Sequence, residues 1–518
     1  MDTISLLDRG TSTALATIRE WRNTLAPINR VPVDVLSLIP VHLSSQKDRF
    51  RVTFVCRHWR KIFLQHGALW SQMFVEKGED YMKALLARAK GSLLEISIDQ
   101  DVRVSTMALL SRHSQRIRSL EFKRDYWKGI RKFSEASPGP FPLLRTLIVT
   151  RFYTHDSLED DTPPLSPFIA NNVEEFFFDS AKIQFLNNFI FPNLTTFNLR
   201  TEKVSRSGAS DLFGFLKASP MLRTVRICIF NGIMVEDIPR QTVTVLPNVE
   251  TFSLASDDRS TYKIALRISC PRARDVSLMC QVSDVNISPS WEIFPKCVSW
   301  NTIVHQYAES PVEEVTLVIR PPYETSSLTF RSSDTSTIRL VFELSPDSDY
   351  IAEVDMDLSE VVYKAFSQGF KTIHNHPLLT GLKRFHLICG DLGMYGSQTL
   401  IPATVVKKVF ERVGPLDILT INGCHLRPYL AGFGQLGYSK QRVVFPPIKQ
   451  LTISHPWMET DEEKYMGAIV KLAESQYARG IPFERVTVRA NSLPAGMVER
   501  LRKWVGTADC EEDSFVED

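Results

Sequence analysis

The sequence predicts an α/β solenoid preceded by a small all-α module. Three observations point there. A six-position template, apolar–x–x–apolar–x–apolar, starts thirteen times between residues 93 and 483. A proline stands one or two residues ahead of most copies, and residues 28–73 hold short helical pieces without the template. The chain has 518 residues, whereas a single core stops growing at roughly 250–300, so the length calls for either several domains or an open-ended stack of units.

Bulk composition excludes several classes. Hydrophobic residues make up 43% and charged residues 23%, the balance of a folded chain and not a disordered one. Lys+Arg 61 against Asp+Glu 59 leaves +2, so no global field points to nucleic acid or to a membrane. The cysteines, Cys56, Cys228, Cys270, Cys280, Cys297, Cys389, Cys424 and Cys510, are scattered singly with no C-x-x-C pair. That suits buried thiols in a reducing compartment. Asp2, Asp8 and Arg9 interrupt the N-terminal apolar pattern, unlike a signal peptide. No apolar run approaches the ~18 residues of a membrane span. The expectation is an intracellular protein, cytoplasmic or nuclear, and the sequons at Asn193 and Asn286 are then accidental.

The elements follow in chain order. Residues 1–27 predict an amphipathic helix closed by Pro27. Pro32 suits a first helical turn, and Val35, Leu36 and Ile39 form an apolar stripe that ends at Pro40. A second helical stretch runs from Lys47 to Phe63, and Leu69-Trp70 follow a break at Gly67. The order Val31-Pro32, Asp34-Val35-Leu36, Ile39, Leu43, Val55-Cys56-Arg57, Trp59-Arg60, Leu69-Trp70 resembles the F-box. It departs at Val31, where Leu is commoner, and at Pro40, where an aromatic often follows Ile39. The resemblance covers residues 28–73, within an F-box-like domain expected over 28–75. It implies docking on the Skp adaptor of a cullin-based ubiquitin ligase through Val31, Pro32, Val35, Leu36, Ile39, Leu43, Val55, Cys56, Trp59, Leu69 and Trp70. The competing reading makes these helices a cap on the following domain. A unit of this size is near the lower limit for an independent core, so either a partner or the neighbouring repeats must cover it.

The template copies are LLEISI at 93, IRSLEF at 117, LRTLIV at 144, VEEFFF at 173, LTTFNL at 194, LRTVRI at 222 and VETFSL at 249. They continue as ARDVSL at 273, VEEVTL at 312, LKRFHL at 382, LDILTI at 416, IKQLTI at 448 and FERVTV at 483. Alternation over the last four positions predicts a short strand with one apolar face. The proline is placed at the start of the strand, where its missing donor breaks no ladder bond. Helical stretches fill gaps at Val104–His113, Ala209–Ala218, Pro402–Glu411 and Glu462–Ala478. Such units bury their apolar faces by stacking. The pattern resembles the irregular leucine-rich repeats of F-box proteins, especially the large fungal sets. It implies a horseshoe over 90–506 with parallel strands on the concave face; an ordinary parallel α/β domain is the competing fold.

Two stretches break the period: residues 281–311, and 320–381, where IRLVFEL (338–344) is a candidate strand out of template behind the Ser/Thr-rich Ser326–Thr337. Both read as surface loops or as binding insertions. Residues 507–518 read as an acidic, frayed tail.

No catalytic constellation emerges. Gly432–Gly437 matches a dinucleotide fingerprint by letters, but Arg427-Pro428-Tyr429 precedes it where a strand is required. His374 and His376 have no companion ligand at short spacing. Neither cofactor nor metal is expected. The basic stretch of Arg116, Arg118, Lys123, Arg124 and Lys128 could grip a phosphorylated or acidic client, or form a solvated face; Tyr126 and Trp127 within it leave RNA contact open. The expected function is a non-catalytic substrate receptor of a Skp–cullin–F-box ubiquitin ligase, its repeats holding an unnamed client. The alternative is a repeat scaffold outside any ligase.

Overall fold

In the computed structural model, equivalent template positions sit side by side from strand to strand. Leu120 pairs with Leu147 and Leu147 with Phe176; much further along, Leu419 pairs with Leu451 and Leu451 with Val486. The structure describes residues 3–43, 45–75, 78–98, 102–123, 141–150, 168–179, 186–201, 206–229, 243–256, 267–282, 312–319, 325–332, 337–344, 381–389, 414–422, 447–455, 462–490 and 496–511, with residues 130, 133, 183 and 264. The chain forms two units, Met1–Ala181 with Phe185–Leu199, and Lys182–Gln184 with Arg200–Asp518.

The first unit opens with helix α1 (Thr3–Leu25) and the short helices α2 (Val33–Leu36), α3 (Gln46–Val52) and α4 (Arg57–Gln65). Strands β1 (Gln72–Phe74), β2 (Leu94–Ile98), β3 (Ile117–Phe122), β4 (Thr146–Val149) and β6 (Glu175–Asp179) form a parallel ladder in that order. Helices α5 (Glu79–Ala89) and α6 (Val104–Ser111) make the first two crossovers, as parallel pairing requires a long connection. Two-residue strands β5 (Phe168–Ile169) and β7 (Phe189–Ile190) pair beside the main ladder, and β8 (Thr196–Thr201) follows. Phe176 is ringed by Phe189, Phe191 and Phe197 at centroid distances of 5.0, 5.1 and 5.9 Å.

The second unit holds β9 (Thr224–Ile229), β10 (Thr244–Val245), β11 (Thr251–Ser256), β12 (Ile268–Ser269), β13 (Asp275–Val282), β14 (Val312–Ile319), β15 (Thr325–Ser332) and β16 (Thr337–Leu344). It continues with β17 (Arg384–Cys389), β18 (Leu416–Asn422), β19 (Ile448–His455), β20 (Arg485–Ala490) and β21 (Thr507–Glu511). Helix α7 (Arg206–Ala218) precedes β9, α8 (Glu462–Ala478) links β19 to β20, and α9 (Met497–Arg502) links β20 to β21. The expected helix over Pro402–Glu411 lies outside the described residues.

Burial explains the template. All three apolar positions are buried in the copies beginning at 117, 144, 173, 194, 222, 249, 273, 382, 416, 448 and 483. The copy at 93 departs: Leu93 is 44% exposed, and Leu94 is buried instead. A register shift between Leu94 and Glu95 lets Leu94 face Ile117 and still aligns Ile96 with Leu120, a one-residue irregularity that keeps the apolar row intact.

Three of the prolines sit in turns and not at strand starts, whereas Pro415 and Pro447 stand directly before β18 and β19. Leu194 N donates to Phe191 O, Leu222 N to Ser219 O and Ala273 N to Cys270 O, so Pro192, Pro220 and Pro271 occupy the second position of β-turns, which proline's fixed φ favours. Asparagines tie successive turns together. Asn193 Nδ2 donates to Asn171 O at 2.8 Å, and Asn248 Nδ2 to Pro220 O at 3.0 Å. The Asn193 amide thus has a structural role.

Two expectations are corrected. IRLVFEL is the out-of-template strand expected, but the Ser/Thr-rich segment before it is not a surface loop, since Thr325–Ser332 form β15. β16 pairs in parallel with β13, β15 lies antiparallel to both β16 and β14, and β14 resumes the parallel ladder with β17. The spatial order is therefore β13-β16-β15-β14-β17, and Val276 faces Ile338 where the template alone would put Val315. The chain terminus is also not simply a frayed tail from 507. β21 pairs with β20, and Asp509 lies 2.8 Å from Arg485. The interruption at 283–311 and residues 512–518 lie outside the described residues.

Candidate functional site

The N-terminal helices are held by a few specific bonds. The stretch expected from Lys47 divides into α3, which ends at Val52, and α4, which Cys56 opens in extended conformation with its Sγ accepting from Trp59 N at 3.5 Å. Trp59 Nε1 donates to Asn29 Oδ1 at 2.6 Å, and Asn29 Nδ2 donates to Asn23 O at the end of α1. Trp70 Nε1 donates to Phe63 O at 2.9 Å, and its ring meets Phe50 edge-on at 5.0 Å. Pro40 stands second in a 3-10 turn, Ile39–His42, leaving α2 only four residues.

The module is joined to the ladder directly. Met73 pairs with Ile96, Gln46 Nε2 donates to the Tyr81 hydroxyl of α5 at 2.8 Å, and Arg88 lies 5.0 Å above the Trp70 ring. Arg49, 3% exposed, donates to Gln72 O at 3.1 Å. Burial lowers its pKa, with Glu95 opposing. A boundary at residue 90 would therefore cut β1 and α5 away from β2.

These contacts sort the expected docking residues into two sets. Leu36, Trp59, Leu69 and Trp70 are buried, Leu36 wholly; their side chains are engaged in packing the module. Pro32, Val35 and Val55 are exposed, and Val31, Ile39, Leu43 and Cys56 are half-buried. Sequence reasoning missed Ile28, Val33, Leu38 and Phe54, which are exposed too, Phe54 at 69%. The missed signal was the shortness of α2. With one turn only, Leu36 and Ser37 face inward and the apolar residues on both sides face out.

Such exposed apolar side chains on a small module indicate a surface that something else covers. A protein-family model described as F-box-like matches residues 28–76. Residues 28–76 carry an F-box-like domain. No curated protein matches the chain.

Beyond the F-box-like domain, the basic stretch separates into parts. Arg116 is engaged by its own fold: it donates to Ser92 O at 3.1 and 2.8 Å, past the C-terminal end of α5, and burial lowers its pKa. Lys123 lies 3.2 Å from Glu121. Arg118 is exposed. Arg124 and Lys128 lie outside the described residues, as do His374, His376 and the glycine-rich segment 432–437.

Proposed function

We propose that this chain is the substrate-recognition subunit of a Skp–cullin–F-box ubiquitin ligase. The match over residues 28–76 carries the reading, because an F-box domain characteristically binds the Skp adaptor, which connects to the cullin. The docking face comprises Val33, Pro32, Val35, Leu38, Phe54 and Val55, all exposed, with Val31, Ile39 and Leu43 at its margin. The in-register strands, backed by helical crossovers, support a leucine-rich-repeat-like horseshoe whose concave sheet holds a client protein. The chain itself is non-catalytic. It raises the local concentration of client lysines near the ubiquitin-charged enzyme, in the cytoplasm or the nucleus.

The test is co-purification of the full chain with the Skp adaptor. Val35→Glu and Val55→Glu place charges on exposed positions, so they remove adaptor binding while the thermal melt stays where it was. Retained binding in both variants refutes the reading. Leu36→Ala is a poor probe, because it opens a cavity in the core. The pairing of Met73 with Ile96 favours a second role for the same helices as the cap of the ladder. A chain that never binds the adaptor but loses its ladder when residues 1–75 are deleted would be a scaffold only.

A further inference from the structure

Helix α1 turns its polar side to its own module and its apolar side to water. Glu20 lies 3.3 Å from Arg57 of α4, Asn23 O accepts from Asn29, and Ala16 is half-buried on the same side. The opposite side carries Leu7, Thr11, Ala14, Ile18, Trp21 and Leu25, all exposed, Ile18 at 61% and Trp21 at 69%. Their spacing alternates four and three residues, the seam of a two-helix coiled coil. A helix with such a seam is stabilised by covering it.

We propose that α1 is a dimerisation helix, its seam covered by α1 of a second copy of this chain lying antiparallel to it. With the twofold axis near Ala16, Leu7 faces the second copy's Leu25, Thr11 faces Trp21, and Ala14 faces Ile18. Two of these layers set a small residue against a large one, which fills the seam evenly. On one flank, Leu15, itself exposed, meets its own counterpart, and Asp8 meets Arg22 at both ends. Asp8 and Arg22 are exposed and have no ion-pair partner among the described residues. A parallel pair would stack Trp21 on Trp21 and Ala14 on Ala14 and would leave both charges unmatched. A lipid surface would favour a uniformly basic flank, whereas this one is balanced. The resulting interface is isologous and closed, and it lies on the side of α1 away from α4.

Sedimentation equilibrium of the full chain over a dilution series tests this. The expected mass rises with concentration from 59.0 kDa to twice that value. Ile18→Glu and Trp21→Glu weaken association by about a hundredfold or more, because each puts charges into the buried seam of both copies. Asp8→Arg alone weakens it by about tenfold, and Asp8→Arg combined with Arg22→Asp restores it. All four side chains are exposed, so the helical circular dichroism signal stays unchanged and unfolding does not explain a loss. A chain that stays monomeric throughout overturns the proposal. So does a dimer indifferent to Ile18→Glu, a charge swap that fails to restore, or a monomer that binds anionic vesicles through α1.

Discussion

Lys383 Nζ stands 2.6 Å from Glu313 Oε1, although 70 residues separate them in sequence. Both occupy the second template position, and Lys383 N also donates to Glu313 O at 2.9 Å. The same position joins Arg145 to Glu174 and Arg223 to Glu250, and sets Lys449 2.7 Å from Asp417. The β15–β16 excursion thus leaves the template register untouched. Exposed pairs contribute little, so the buried rows hold the register and the charges trim it. Lys383→Glu is expected to cost about 0.5–1 kcal/mol by placing two acids together. Adding Glu313→Lys recovers most of it, read as paired shifts in thermal midpoint.

Arg116 is a structural cation. Its two bonds to Ser92 O close the turn between α5 and β2. Arg116→Met keeps the apolar stem but leaves that carbonyl without its charged donor, at an expected cost of about 1–2 kcal/mol. Arg118→Ala, on an exposed position of β3, should move stability by less than about 0.5 kcal/mol. Denaturant melts of the two variants separate a structural arginine from a free one. Equal effects would contradict the assignment.

The ladder was legible because its signal is local and repeated: an apolar residue, then alternation, as at Leu194, Phe197 and Leu199. Its exceptions were not. β15 and β16 alternate as any strand does, but nothing local says that β16 will insert beside β13; that choice is made by strand pairing at long range. β21 carries Asp509 and Glu511, charges that read as solvated until Arg485 is placed beside the first of them. In the F-box-like domain the motif identified the right residues but not their faces. Burial of Leu36 and Trp70 against exposure of Val35 and Val55 depends on where one-turn helices stop. Arg116 misled for a related reason, since a basic run does not show which of its members finds a backbone carbonyl.

His386, half-buried on β17, titrates below the ordinary histidine value. Burial is the main cause; Glu314 opposes it, and Arg384 and Arg331 add to it. Above the ordinary histidine pKa both states are neutral and His386 contributes no pH dependence. As pH falls below that value the unfolded chain takes up the proton first, so folded stability declines. Urea midpoints measured from about pH 7.5 to about pH 5.5 should therefore fall for the native chain. In His386→Gln the slope should be shallower. An unchanged slope would mean that the histidine is free to protonate in the fold.

β21 gives the ladder its last described strand, and Gly506 admits it. A Cβ at Gly506 would lie 2.8 Å from Glu484 O, closer than real side chains come, while Gly506 N donates to Phe483 O and Thr507 N to Glu484 O. The strand then sets Ala508 beside Val486 and Cys510 beside Val488. Ending the chain at Val505 strips β20 of that neighbour and uncovers on the order of 100 Å² of apolar surface, worth about 2 kcal/mol. Gly506→Ala should cost about 1–3 kcal/mol, because backbone and not a flexible side chain must move. Hydrogen exchange locates both effects. Amides of β20 that donate to β21 lose protection, while those between β17 and β18 keep theirs. Uniform loss across the second unit would show that β21 supports the whole ladder, and no loss at β20 would show that the terminal strand does not pair.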